Sequence, residues 1–154
     1  MSPLRRTFLN NAGAAGALFV AVMTGLIKPG KVLAAEWNKS AFDATTMADA
    51  LKTTGGIGAT ESKDIQIKAP EHAENGAAVQ LEVTSKIIGT TSIAIFVEKN
   101  PRPLIADSEF SNGAEPYIFI RTKVAESSRI RVLVKAGGKT YFATREVSVT
   151  TSGC

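Results

Sequence analysis

One side chain among the 154 residues stands out as a soft nucleophile: Cys154, the only cysteine and the last residue given. A thiol can form a disulfide, take a covalent adduct or be oxidised. The only histidine, His72, sits in Ala69-Pro70-Glu71-His72-Ala73-Glu74. An acid–base or metal role beside Glu71 or Glu74 is conceivable. A general base needs a positioned partner, and this polar, turn-like stretch reads better as a solvated loop. A single cysteine excludes an intrachain disulfide. One Cys with one His excludes a Cys/His zinc site, which needs about four ligands. No Gly-x-Ser-x-Gly elbow and no phosphate-binding P-loop occurs. Gly55-Gly56-Ile57-Gly58 does not open a helix inside a βαβ unit. The 14 carboxylates show no spacing that singles out an acid and a base, so they read as surface. Chemistry therefore concentrates on the thiol, and no metal site is expected.

The thiol's position says what it can do. Thr150-Thr151-Ser152-Gly153 precede it, and the strand pattern stops near Thr150. Four further residues reach about 13 Å when extended at 3.3–3.6 Å each. Gly153 removes bulk beside the thiol and adds backbone freedom. Catalytic groups must be held within about half an ångström by locked neighbours, and this thiol has neither locked neighbours nor an identifiable base. The adjacent terminal carboxylate is expected to disfavour the thiolate. Residues 151–154 thus read as a flexible carrier arm, a handle activated by whatever enzyme receives it. On these residues alone other readings stay open. One is a structural or adhesion-type periplasmic β-sandwich whose Cys154 forms only interchain disulfides. Another is a metal-delivery module using Cys154 with His72.

The elements behind the arm follow from periodicity. Ser40 is a candidate helix N-cap, and Phe42, Met47, Ala50 and Leu51 then fall near one helical face. Thr53-Thr54-Gly55-Gly56-Ile57-Gly58 ends that helix, so residues 36–60 form a helix and linker. Beyond Asp64 the period becomes two. Apolar residues alternate at Ile65 and Ile67, at Val79, Leu81 and Val83, and at Ile93, Ile95 and Val97. They do so again at Ile118 and Ile120, at Ile130, Val132 and Val134, and at Val147 and Val149. Asn75-Gly76 and Gly137-Gly138 can take the positive φ of tight hairpins. The fold expected over 61–150 is an immunoglobulin-like antiparallel β-sandwich, mostly β with a short N-terminal helix.

Residues 1–35 read as an address. Arg5-Arg6 with Phe8, an apolar run from Ala12 to Ile27, and Val32-Leu33-Ala34-Ala35 give the layout of a bacterial export signal. The 16-residue run is shorter than the roughly 20 of a membrane span. A cleaved twin-arginine (Tat) signal implies a chain that folds first and then resides in the periplasm, off the membrane. The leader holds Arg5, Arg6, Lys28 and Lys31 and no acid, leaving 14 basic against 14 acidic residues in the rest. The mature chain is then neutral and lacks the charge of a nucleic-acid binder.

Several stretches together carry a family resemblance. They are Ala69-Pro70-Glu71, Ala73-Glu74-Asn75-Gly76-Ala77, Val97-Glu98-Lys99-Asn100-Pro101, Pro103-Leu104 and the Gly153-Cys154 end. With the Tat-type leader they resemble SoxY, the sulfur-carrier subunit of the periplasmic Sox thiosulfate-oxidising system. The family's arm usually reads Gly-Gly-Cys-Gly-Gly; here Ser152 stands for the first glycine, and the sequence given ends at Cys154. The resemblance implies a non-catalytic carrier without a resident cofactor, holding S-thiosulfonate and persulfide intermediates on Cys154, with Ser152 and Gly153 as arm residues. It implies a heterodimer with a SoxZ-like β-sandwich. A haem-containing SoxAX cytochrome would load the thiol, a SoxB hydrolase would release sulfate, and a sulfane dehydrogenase would oxidise the sulfur left behind. Two carrier chains could also link through Cys154. Tyr117, Phe119, Tyr141 and Phe142 are candidates for the partner-facing strip.

Overall fold

The computed structural model describes residues 38–150; residues 1–37, which include the expected export signal, and 151–154, the expected arm with Ser152, Gly153 and Cys154, lie outside the described residues. Among the described residues two short helices come first, where one was expected. Helix α1 spans Lys39–Asp43 and α2 spans Met47–Thr54. Ser40 is not the cap. Asn38 caps α1 by accepting from Ala41 N at 3.2 Å, and Ser40 lies inside the helix. Ala44 then turns extended, at ψ 131°. Thr46 restarts the helix as its N-cap, its hydroxyl accepting from Asp49 N at 3.1 Å and donating to the Asp49 carboxylate at 2.7 Å. Gly55 ends α2 at φ 73°, and Gly56 N returns to Leu51 O at 2.7 Å, the Schellman closure that a left-handed glycine allows.

Nine strands follow among the described residues: β1 Thr60–Glu61, β2 Ile65–Lys68, β3 His72–Ala73, β4 Val79–Ser85, β5 Thr90–Val97, β6 Leu104–Glu109, β7 Tyr117–Thr122, β8 Ser128–Ala136 and β9 Lys139–Val149. They form two sheets. One runs β1-β9-β8-β5-β6, with β3 also on β9; the other runs β2-β4-β7. The sandwich is mostly β, as the alternation predicts. It is antiparallel except at β1 and β3, which pair parallel with β9.

Two apolar layers hold these elements. Between the sheets, Ile65, Leu81, Val83 and Ile118 meet Ile93, Ile95, Val97, Ile130, Val132, Val134 and Val147. On the outer face of the larger sheet, Ala94, Phe96 and Leu133 lie beneath Ala41 and Ala50, with Phe42, Met47 and Leu51 packed around them. The helix face expected from spacing is the one that packs. Both faces of β5 are therefore covered, which is why Phe96 occupies an outward position and is still fully buried.

The turns divide. Gly137 and Gly138 take φ 55° and 73° and join β8 to β9 with Ala136 opposite Lys139, the two-residue hairpin expected. Asn75-Gly76 makes no hairpin. Asn75 caps a 3-10 turn, Gly76–Ala78, by accepting from Ala77 N at 2.8 Å. Gly76 is required for space instead: a Cβ there would fall on Val124 O and 2.7 Å from Val149 Cγ1.

Strand β6 forms one edge of the larger sheet and carries Asp107. Its side chain still reaches solvent, but loss of surrounding water raises its pKa above the usual value. Lys135 opposes that shift and Glu109 adds to it. The unfolded chain therefore ionises first, and this group costs stability as pH rises through the ordinary carboxylate range to the raised value. Asp107→Asn is expected to raise the melting temperature at neutral pH. The gain should vanish in acid, which melting curves across pH would check.

Candidate functional site

Since Cys154 lies outside the described residues, the site open to description is the root of the expected arm. It is built from the last residues of β9. Val147 is buried opposite Ser128 of β8. On the other side β3 pairs His72 with Ser148 and Ala73 with Val149. Ser148 N donates to Glu71 O at 2.9 Å, and Thr150 N donates to Ala73 O at 3.0 Å. Val149 turns the opposite way. Its N–H donates to Ser127 Oγ at 2.9 Å, and that hydroxyl faces Val149 O at 3.4 Å. Three successive amides are thus fixed on alternate sides, as strand pleating requires. The chain is held through Thr150, four residues before Cys154 along the sequence.

The residues that carry the family resemblance build this root. Glu98 N donates to Arg129 O at 3.0 Å, and Lys99 N to Ser128 Oγ at 3.1 Å. Asn100 clamps the loop before β8: its Nδ2 donates to Lys123 O at 2.8 Å, and its Oδ1 accepts from Ala125 N at 3.0 Å. Gly76 O accepts from Val124 N at 2.7 Å. Two separate stretches, 73–77 and 97–101, therefore grip one loop, and that loop supplies Ser127 to β9. Glu98 also meets Arg131 at 3.2 Å, and the Arg131 guanidinium lies 5.2 Å from the Phe142 ring centroid. A half-buried pair stacked on an aromatic ring ties the root to the sheet face beneath the helices.

Two shallow clefts flank the root. One of about 280 Å³ is lined by Glu98, Lys99, Ser127, Arg129, Glu146 and Ser148. The other, about 330 Å³, is lined by Pro70, Ala73, Glu74, Asn75, Val79 and Gln80. In the first cleft the charges are paired: Arg129 meets Glu146 at 3.4 Å, and Lys99 meets Glu126 at 3.8 Å. His72 is exposed, and Glu71 turns to Arg145 at 3.4 Å. Among the described residues no three His, Cys, Asp or Glu side chains group to hold a metal.

Sequence reading missed Ser127. A serine hydroxyl that braces another strand's backbone has no periodic signature, and only the neighbouring Asn100 and Gly76 hinted at an organised loop. Ser127→Ala is expected to cost about 1 kcal/mol, the usual worth of one such hydrogen bond. It should also speed amide exchange at Val149, while Val132 in the core stays protected. The aromatic candidates divide. Tyr117 and Phe119 are exposed on β7. Tyr141 packs against the inter-sheet core and Phe142 against the helical cluster, so these two do not form a free strip.

The comparisons agree with this geometry. The model of the family "Sulfur oxidation protein SoxY" matches residues 51–154. The structure of the sulfur carrier protein SoxY from Chlorobium limicola f thiosulfatophilum is similar at TM-score 0.62 and 42% identity, covering 68% of this chain and 96% of that one. No curated protein matches the chain in sequence. A family match over two thirds of the chain, which takes in both the gripped loop and the residues after β9, settles the assignment: the chain belongs to the SoxY family of sulfur oxidation proteins.

Proposed function

We propose that the protein is a periplasmic carrier that holds thiosulfate-derived sulfur covalently on Cys154 while partner enzymes oxidise it to sulfate. The observation that carries this reading is the family match through residue 154, which takes in the chain's only thiol. The similar solved protein is described as a sulfur carrier. The arm root supports it too: a fold that fixes a strand through Thr150 suits presentation of a group to other enzymes.

The chemistry balances as follows. Loading joins Cys154 Sγ to the sulfane sulfur of thiosulfate, releasing the thiol proton and two electrons to a haem acceptor of the SoxAX kind. Water then attacks the outer sulfone sulfur under a SoxB-like hydrolase. The S–S bond breaks, sulfate and two protons leave, and a persulfide remains. A sulfane dehydrogenase would take six electrons from that outer sulfur as three waters supply its oxygens and six protons leave. A second hydrolysis frees sulfate and the thiol. Tethering keeps the sulfur species at high effective concentration for each enzyme in turn. A SoxZ-like sandwich completes the carrier as a heterodimer, and the twin-arginine run supports export.

The test is intact mass after incubating the reduced protein with thiosulfate and the loading cytochrome. One reductant-labile adduct per chain is expected, and an unchanged mass overturns the proposal. Cell fractionation checks the location. The chain should appear in the periplasm without residues 1–35, and retention of the full-length chain in the cytoplasm would contradict export.

A further inference from the structure

Four asparagines fall among the described residues: Asn38, Asn75, Asn100 and Asn112. An asparagine carboxamide can be attacked by the backbone nitrogen of the next residue, and its surroundings decide whether it is. Asn100 precedes Pro101, whose nitrogen carries no hydrogen to lose. Asn38 precedes Lys39, and its Oδ1 accepts from Ala41 N at 3.2 Å as the cap of α1. Asn75 and Asn112 both precede glycine, which has no side chain to hinder the attack.

The two Asn-Gly pairs stand in opposite surroundings. Asn75 Oδ1 accepts from Ala77 N at 2.8 Å. Gly76 O accepts from Val124 N at 2.7 Å, and the place of its missing Cβ lies against Val124 O. Swinging Gly76 N onto the Asn75 carboxamide would break these contacts and displace the loop that braces β9. Asn112 and Gly113 instead form the centre of a turn, at φ 55° and 75°, closed by Ala114 N donating to Ser111 O at 3.1 Å. Residues 111–115 are exposed, and nothing lies within 4 Å of the place of Gly113's missing Cβ. Among the described residues no hydrogen bond holds the Asn112 carboxamide or Gly113 N. Phe110 N is fixed to Thr91 O at 2.9 Å, and Ser85 N to Pro116 O at 3.0 Å, so the turn can open while both flanking strands stay paired. Opening breaks one solvent-exposed hydrogen bond, and such segments lie at the low-stability end of a fold.

We propose that Asn112 is a site of spontaneous deamidation and that the fold protects Asn75 from the same reaction. Gly113 N attacks Asn112 Cγ. The Cγ–Nδ2 bond breaks, and ammonia leaves with the proton from Gly113 N. Water then opens the cyclic imide at either carbonyl, giving aspartate or isoaspartate, and nothing is oxidised or reduced. The product adds a carboxylate to a cleft of about 430 Å³ that Lys86 also lines. The turn precedes β7 and the loop gripping β9 follows it, so the change lies at the far end of that strand from the arm root.

The test is site-resolved peptide mapping of the folded full chain held in mildly alkaline buffer, which favours loss of the Gly113 proton. The Asn112 peptide should show the mass change of NH replaced by O and split into two chromatographic forms. Asn75 should convert at least about tenfold more slowly, a barrier difference of about 1.4 kcal/mol. In denaturant the two sites should convert at similar rates, because the protection at Asn75 is structural. Gly113→Asn keeps a residue that tolerates the left-handed region and should slow conversion at Asn112 about tenfold. An Asn112 that survives in the folded chain but converts in denaturant overturns the proposal. So do equal rates at Asn75 and Asn112 in the folded chain, or a Gly113→Asn variant that converts at Asn112 as fast as the parent.

Discussion

Cys154→Ser is expected to abolish sulfur loading completely while leaving the melting temperature unchanged. Both halves follow from position. No second cysteine can take over the oxidative coupling, and a serine hydroxyl forms no sulfur–sulfur bond. Elsewhere, losing a nucleophile can leave residual turnover from binding and electrostatics. A carrier has no such remainder, because the substrate is never attached. The unchanged stability follows because the hydrogen bonds that fix β9 fall at or before Thr150. A variant that loads sulfur elsewhere, or that melts several degrees lower, would show that the thiol does other work.

Gly76→Ala is the largest expected structural effect from one added carbon. The backbone at Gly76 is not left-handed, so the cost is not conformational. The new Cβ would strike the Val124 carbonyl and crowd Val149 Cγ1. A backbone oxygen yields less readily than a side-chain tip. Here it belongs to the loop that Asn100 clamps on both flanks. Overpacking of this kind costs about 1–3 kcal/mol, and the upper end is expected, a fall of roughly 10 °C in melting temperature. Shifting that loop also moves Ser127, so the bracing of Val149 should weaken. Gly89→Ala is the control. Gly89 has φ 75° with open space around it, so its alanine should cost only about 1 kcal/mol and leave the arm root untouched. Denaturant unfolding of both variants, with exchange at Val149, separates the two mechanisms.

The legible part of this fold is the part governed by local pattern. Alternation located β2, β4, β5, β7, β8 and β9, and Gly137-Gly138 gave the β8–β9 hairpin because only a positive φ at both positions suits a two-residue turn. Strand β6 was not legible. Leu104 and Ile105 are its only large apolar residues, and Asp107 and Glu109 tolerate an edge that faces water. The two-residue β1 and β3 leave no periodicity at all; they exist because β9 offers its edge to them. Asn75-Gly76 misled because the dipeptide suits a hairpin, while here tertiary crowding and not φ selects the glycine. Ser40 misled because Asn38 caps equally well two residues earlier. The thiol was legible as chemistry. What anchors its strand was not, since Ser127, Asn100 and Gly76 act across sequence gaps that no local pattern spans.

The most direct measurement is peptide-mapped mass spectrometry of the protein recovered from cells oxidising thiosulfate, with and without reductant. Covalent carriage predicts sulfur-bearing forms of the peptide containing Cys154, collapsing to the free thiol on reduction. A Cys154 peptide that is always unmodified, or linked only to another Cys154, would contradict it.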